Sequence, residues 1–154
     1  MTAPSFVFWL LLAYLSGSIP WSVWLGKLFY GVDPRDFGDG NPGAANVFRA
    51  AGKPLGIMVI ILDFLKAFLP VLFAKWGTDL SDWQLFCVAL APTVGHAFSI
   101  FLRLHGGRAL VTLFGVWSGL TLYELPIVMG LAAILFLLTT KRDEYASIAI
   151  IVAA

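Results

Sequence analysis

Charged residues are scarce in this sequence: they make up 12% of its 154 residues, where a soluble domain carries about 25%. A chain so poor in solvating groups does not read as an ordinary water-soluble globule. Cysteine is nearly absent. The single thiol, Cys87, lies inside an apolar run, which excludes an intrachain disulfide and any multi-cysteine metal site and leaves it as a small core residue. The net charge is +1 and no basic tail or arm is present, so there is no electrostatic footprint for nucleic acid. The two histidines, His96 and His105, stand apart, and no His/Cys/Asp cluster has metal-ligand spacing. Neither a metal nor a cofactor is expected. The first apolar run has no positively charged leader and exceeds the length of a signal-peptide core, which favours a spanning helix over a cleaved signal.

What the sequence has in abundance is apolar surface. Hydrophobic residues make up 60% of the chain, the mean hydropathy is +0.89, and the apolar runs fall at residues 4–26, 54–76, 83–102, 109–123, 125–140 and 145–154. A spanning helix needs about 20 such residues. The pattern predicts an all-α polytopic bundle, a single transmembrane domain over residues 1–154 with five spans and the start of a sixth, cut within that last run. Ser16, Gly17, Ser18 and Pro20 lie in the first span, where small residues allow close helix contact and proline kinks the helix. Gly115 and Gly119 offer a second close contact, and Pro54 suits the first turn of the second span.

Positive charge sets an orientation. With the N-terminus outside, the inner loops hold Lys27, Arg35, Arg49, Lys53, Arg103, Arg108, Lys141 and Arg142, while the outer side holds only Lys75. That asymmetry follows the positive-inside rule, and Trp76, Trp83, Trp21 and Trp24 sit near the expected interfaces. Both glycine-rich polar stretches then face the cytoplasm.

The first of these stretches is Gly38-Asp-Gly-Asn-Pro-Gly-Ala-Ala-Asn46-Val-Phe-Arg49, read as part of a loop over residues 27–53. Its glycines and asparagines permit left-handed backbone, so successive N–H groups can converge on an anion, with Arg49 supplying fixed charge. Gly38, Gly40 and Gly43 also match the dinucleotide fingerprint, but no strand precedes them and no βαβ unit exists, so that match is set aside. A Walker loop fails for want of Gly-Lys-Ser/Thr. On composition alone, Asn41-Pro42-Gly43 is equally an ordinary turn. The second stretch, Arg103-Leu-His-Gly-Gly-Arg108, pairs two glycines with cations.

Asp63, Lys66 and His96 fall inside spans. Asp63 and Lys66 are one helical turn apart, and charges at that depth face a cavity or each other, so they are either substrate contacts or a neutralised structural pair. His96 reads as a helix-to-helix hydrogen bonder or as a site residue.

With these residues in view, the sequence resembles the bacterial membrane acyl-phosphate:glycerol-3-phosphate acyltransferases, as a divergent and C-terminally truncated member. The likeness rests on Ser16-Gly-Ser-Ile-Pro20, on residues 38–49, on Leu62-Asp-Phe-Leu-Lys66, on Gly95-His96, on Gly106-Gly-Arg-Ala-Leu-Val-Thr112 and on Tyr145-Ala-Ser147. It runs through essentially the whole chain in order. The resemblance implies transfer of a fatty acyl group from acyl phosphate to the 1-hydroxyl of sn-glycerol 3-phosphate, giving lysophosphatidate for phospholipid synthesis, in the cytoplasmic (inner) membrane. It also implies Asp39, Arg49, His96 and Arg108 as catalytic positions. Gly38, Gly40, Asn41, Gly43, Asn46, Lys66, Gly106, Gly107, Thr112 and Ser147 become phosphate- or substrate-binding positions. Acyl phosphate is already activated, so positioning and charge stabilisation suffice and no covalent intermediate is required.

The sequence departs from the family pattern in both glycine-rich loops. Asp39 stands where the family has serine, and a carboxylate 4 Å from a phosphate costs about 4 kcal/mol at an effective dielectric of 20. Arg108-Ala109 replaces Lys-Gly, and alanine resists a positive φ. The family's late His-Arg-x-x-Asn-Ile segment has no counterpart in residues 1–154. A second reading is therefore a catalytically impaired relative that binds a lipid phosphate or serves as a partner subunit. A third, a small transporter or channel, draws only on Asp63 and Lys66 and finds no inverted repeat or selectivity filter.

Overall fold

The structure, a computed structural model, describes residues 3–140, and every regular element within them is helical. Helix α1 (Ala3–Ser18) and α2 (Trp21–Tyr30) form one bent unit, turning 42° at the break. The single run read over residues 4–26 is therefore interrupted where Pro20 lacks the N–H that would continue the helix. α2 closes on Gly31, whose φ of 65° lets the chain reverse, and the Val32 N–H bonds the Gly26 carbonyl.

The expected loop over residues 27–53 is only partly a loop. Beyond α2 and a one-turn 3-10 helix at Pro34–Asp36, the last residues of the glycine-rich stretch form a short amphipathic helix, α3 (Ala44–Ala51). Eight residues do not hold a helix alone. Here Val47, fully buried, packs with Leu55 and Val59 of the next helix and stabilises it.

The remaining helices are α4 (Lys53–Gly77), α5 (Asp82–Ala97), α6 (Leu110–Thr121) and α7 (Glu124–Thr140). Pro54 occupies the first turn of α4, and Ser81 with Gln84 forms a reciprocal capping box at α5. By length and apolarity α4 and the segment Asp82–Leu102 can cross a membrane, the bent α1–α2 pair has the length and apolarity of a third if its two helices count as one span, and α6 is apolar but shorter. The run containing Ser147 lies outside the described residues.

Small residues set the helix contacts, as the sequence suggested. Gly17 of α1 lies against the Pro92 backbone of α5, Gly95 of α5 against the Tyr14 carbonyl, and Gly115 and Gly119 of α6 against Phe64 and Val71 of α4. At Gly17 a side chain would collide with main chain that has no room to yield. Gly17→Val is expected to destabilise the fold by about 1–3 kcal/mol, seen as loss of helicity at lower denaturant in detergent. The connections at residues 31–43 and 98–109 then meet at the same end of the bundle, with residues 78–81 at the other.

Candidate active site

The first glycine-rich stretch is organised around Asn46. Its amide is buried, with Nδ2 donating to Asp39 Oδ1 at 2.8 Å and to the Asn41 carbonyl at 3.0 Å. Its Oδ1 accepts from Arg49 Nη1 at 2.6 Å. Gly38 (φ 59°) and Gly40 (φ 75°) supply the left-handed turns, and a side chain at Gly38 would occupy the space of Asn46 Oδ1 and the Arg49 guanidinium. Gly43 precedes α3 and accepts the Asn46 and Val47 N–H groups.

The second stretch is fastened to α5. Gly106 N–H donates to the Ala97 carbonyl and Gly107 N–H to the His96 carbonyl, both at 3.0 Å. A side chain at Gly106 would run into that His96 carbonyl, and one at Gly107 into His96 Nε2 and towards Asn41 Oδ1. Arg108 then reaches across, and its Nη2 lies 2.6 Å from Asp39 Oδ2. The two stretches are thus in direct contact through Asp39 and Arg108. Ala109, contrary to the expectation for a residue with a Cβ, takes φ 59° and starts α6. A single left-handed non-glycine residue costs about 1–2 kcal/mol, which the buried packing of Ala109 offsets.

The carboxylate expected to oppose a phosphate is therefore itself paired. Asp39 is held below the ordinary carboxylate pKa, first by the Asn41 N–H, then by the Asn46 amide, with Arg108 adding Coulomb attraction. Nearby, at the head of α2, Ser22 Oγ donates to the Pro42 carbonyl at 2.7 Å and anchors the loop.

Beneath the loops lies a buried polar layer. Lys66 Nζ is 2.7 Å from Asp63 Oδ1 and donates to the Ile19 carbonyl at 2.8 Å, the group freed by the break at Pro20. Ser16 Oγ donates to the Lys66 carbonyl, and Ser99 Oγ to that of Ser18. His96 Nδ1 and Thr112 Oγ1 are 3.1 Å apart, and Thr112 is fully buried. A cavity of about 10 Å³, room for one water, touches Lys66, His96, Ser99 and Gly107. A larger one of about 340 Å³ opens between Asn41, Arg108, His96 and Asp63 on its polar side and Phe48, Ile60 and Val111 on its apolar side. Ile60 and Val111 also line an apolar groove of about 550 Å³ between α4 and α6.

All the sequence-derived site residues within residues 3–140 fall in these two loops or the layer beneath. Sequence reading missed the serines that hold the scaffold, Ser22 and Ser99, whose hydroxyls face carbonyls. Their only local signal is a lone polar residue beside a proline or a chain break. It missed Ile60 and Val111 entirely, because lining residues of an apolar groove look like any other span residue.

Fold and site together define an integral membrane protein of the all-helical class, whose polar end gathers main-chain amides and guanidinium groups at the mouth of an apolar groove. The family model described as glycerol-3-phosphate acyltransferase matches residues 7–154. Glycerol-3-phosphate acyltransferases of Staphylococcus aureus, strains JH9 and Newman, are 39% identical over 152 residues, spanning 94% of this chain and 73% of each relative. Crystal structures of PlsY (YgiH), an integral membrane glycerol 3-phosphate acyltransferase, match in the glycerol 3-phosphate form at a TM-score of 0.88 and in the lysophosphatidic acid form at 0.86. Both are 36% identical, over 97% of this chain and 74% of that one. The chain belongs to the glycerol-3-phosphate acyltransferase family.

Proposed function

We propose that the protein transfers a fatty acyl group from an acyl phosphate to the 1-hydroxyl of glycerol 3-phosphate at the cytoplasmic face of the bacterial inner membrane. Acyl transfer to glycerol 3-phosphate is the activity of its family, and the similar PlsY crystal structures are of a glycerol 3-phosphate form and a lysophosphatidic acid form. The observation that carries the donor and the site is the meeting of the two glycine-rich loops where an apolar groove begins. A phosphorylated headgroup and a fatty chain attached to it would be accommodated there together. The inner-face assignment rests on eight cations against one across the two sides.

In this reading Arg49 and Arg108, with the amides of residues 38–43 and 106–107, hold the phosphates, and the acyl chain lies along Ile60 and Val111. The 1-hydroxyl oxygen attacks the acyl carbonyl carbon, the bond from that carbon to the phosphate oxygen breaks, and inorganic phosphate leaves. Asp39, with its pKa lowered, is a poor proton acceptor. The departing phosphate, whose former bridging oxygen takes on negative charge as the bond to the acyl carbon breaks, is the better destination for the hydroxyl proton. Asp39 instead orients Arg108 and Asn46. Because that pair is largely exposed, it contributes little stability, and a phosphate can take Arg108 from it at small cost. The pair weighs against the reading of an impaired relative: the carboxylate comes with its own cation. Lys66, with Asp63, and His96, with Thr112, form the floor.

Purified protein given acyl phosphate and labelled glycerol 3-phosphate is expected to make lysophosphatidate and inorganic phosphate in equal amounts. Failure to do so where an assayed relative succeeds would end the proposal. The Asp39 pair also has a pH signature. A carboxyl with a lowered folded pKa contributes fully above its unfolded value of about 3.9 and is lost as the pH falls through the lowered one. The pH–rate profile should therefore show no Asp39-dependent loss at neutral pH, and an acid limb that Asp39→Asn removes.

A further inference from the structure

A second basic pocket lies at the same end of the bundle, outside the acyl-transfer site. It has a volume of about 520 Å³ and is lined by Lys27, Arg35 and Arg103 together with Trp24 and Phe101. None of its lining residues borders the cavity between Arg108 and His96. The Trp24 and Phe101 rings meet edge to face at 5.3 Å. Both are about half exposed, and Leu28 and Phe29 beside them on α2 are more exposed still. An apolar, aromatic surface of that kind at the end of a spanning unit belongs at the level where lipid tails give way to headgroups.

The charges are arranged unequally. Asp33 grips Arg35 in a fork, with Nε to Oδ1 at 2.9 Å and Nη2 to Oδ2 at 2.6 Å, and Lys27 Nζ shares Oδ2 at 3.1 Å. The Arg35 fork, more than any other contact, holds Asp33 far below the ordinary carboxylate pKa. Asp36 also acts on Arg35 through space. Arg103 has no ion-pair partner among the described residues. Three cations thus face two carboxylates, and the surplus sits on Arg103. Its place is set by the backbone. Arg103 and Leu104 both take left-handed φ, 53° and 65°, in a hook closed by the Leu102 and Leu104 N–H groups on the Ser99 carbonyl.

We propose that this pocket binds the phosphate headgroup of an anionic membrane phospholipid, with Arg103 and Lys27 on the phosphate and the acyl chains against Trp24 and Phe101. Arg35, fixed by Asp33, forms the cationic wall. Basic pockets between helices at the membrane surface take anionic headgroups, and a guanidinium left unpaired beside aromatic rings supplies both parts of such a ligand. A soluble phosphate would use the cations but not the apolar half of the lining, so the bilayer is the source.

The test places the full chain in zwitterionic nanodiscs and titrates phosphatidylglycerol or phosphatidylcholine with brominated acyl chains. The Trp24 signal is taken as the difference from Trp24→Phe. Quenching should favour phosphatidylglycerol, and the preference should weaken as ionic strength rises, a measurement that needs no further variant. Arg103→Gln and Lys27→Gln should each weaken it about fivefold, while Arg103→Lys retains most of it. Acyl transfer in neutral detergent should be unchanged in Arg103→Gln. Equal quenching by the two lipids, or a preference insensitive to salt and to both substitutions, overturns the proposal. Displacement of the lipid by millimolar inorganic phosphate alone overturns the assignment to a lipid.

Discussion

Arg49→Ala is expected to lower kcat/KM for acyl transfer by about 10²–10³-fold, the usual cost of removing one preorganised donor from a site where negative charge develops. Two losses combine in that figure. The guanidinium beside Gly38 disappears, and Asn46 Oδ1, buried and accepting from Arg49 at 2.6 Å, is left without its partner. Freed from that bond, the Asn46 amide can turn over and withdraw Nδ2 from Asp39 and from the Asn41 carbonyl, undoing the turn that Gly38 and Gly40 make. Arg49→Lys separates the two effects. It keeps the charge but not the planar fork, so an intermediate loss is expected, with KM affected more than kcat. Steady-state kinetics alongside a thermal melt checks both. A variant without Arg49 that is folded and as active as the parent would remove this loop from the phosphate site.

Lys66→Met is expected to cost about 3–5 kcal/mol of stability, because it leaves a buried charge without its partner. Asp63 and Lys66 are 4% and 6% exposed and 2.7 Å apart, so water does not replace the missing ammonium. The same substitution strips the Ile19 carbonyl of its donor at the break between α1 and α2. A paired replacement, Asp63→Leu with Lys66→Met, should recover most of the loss, since neither charge then remains. Denaturation in mixed micelles measures this, and unchanged stability in Lys66→Met would refute it. The paired variant also decides the question left open by the sequence. If it folds but no longer transfers acyl groups, the pair serves substrate; if it folds and works, the pair is scaffold.

The site was largely legible because its residues are chemically out of place where they stand. Three glycines and two asparagines between apolar runs, a histidine within a span, and a charge pair one turn apart are all visible without coordinates. The end of that loop was not legible as a helix. Ala44–Ala51 is too short to declare itself by periodicity, and only burial of Val47 against Leu55 and Val59 makes it helical. Ala109 was read as an obstacle at a turn that needs positive φ, yet it takes that φ, because packing around a buried Cβ outweighs one local strain. Asp39 was read as a charge set against phosphate for the same reason of range: its partner, Arg108, comes from a different loop.

By itself the sequence determined the membrane setting, the helical class and which polar residues stand out as candidates, because hydropathy, glycine content and charge placement are properties of short stretches of chain. Only the tertiary structure decided that Asp39 would be neutralised by Arg108, that Lys66 would satisfy the Ile19 carbonyl left open at the break between α1 and α2, and that the groove between α4 and α6 would open beside both loops. Each of these is a distance between segments far apart in the chain, and such distances are set by how small residues let the helices close on one another.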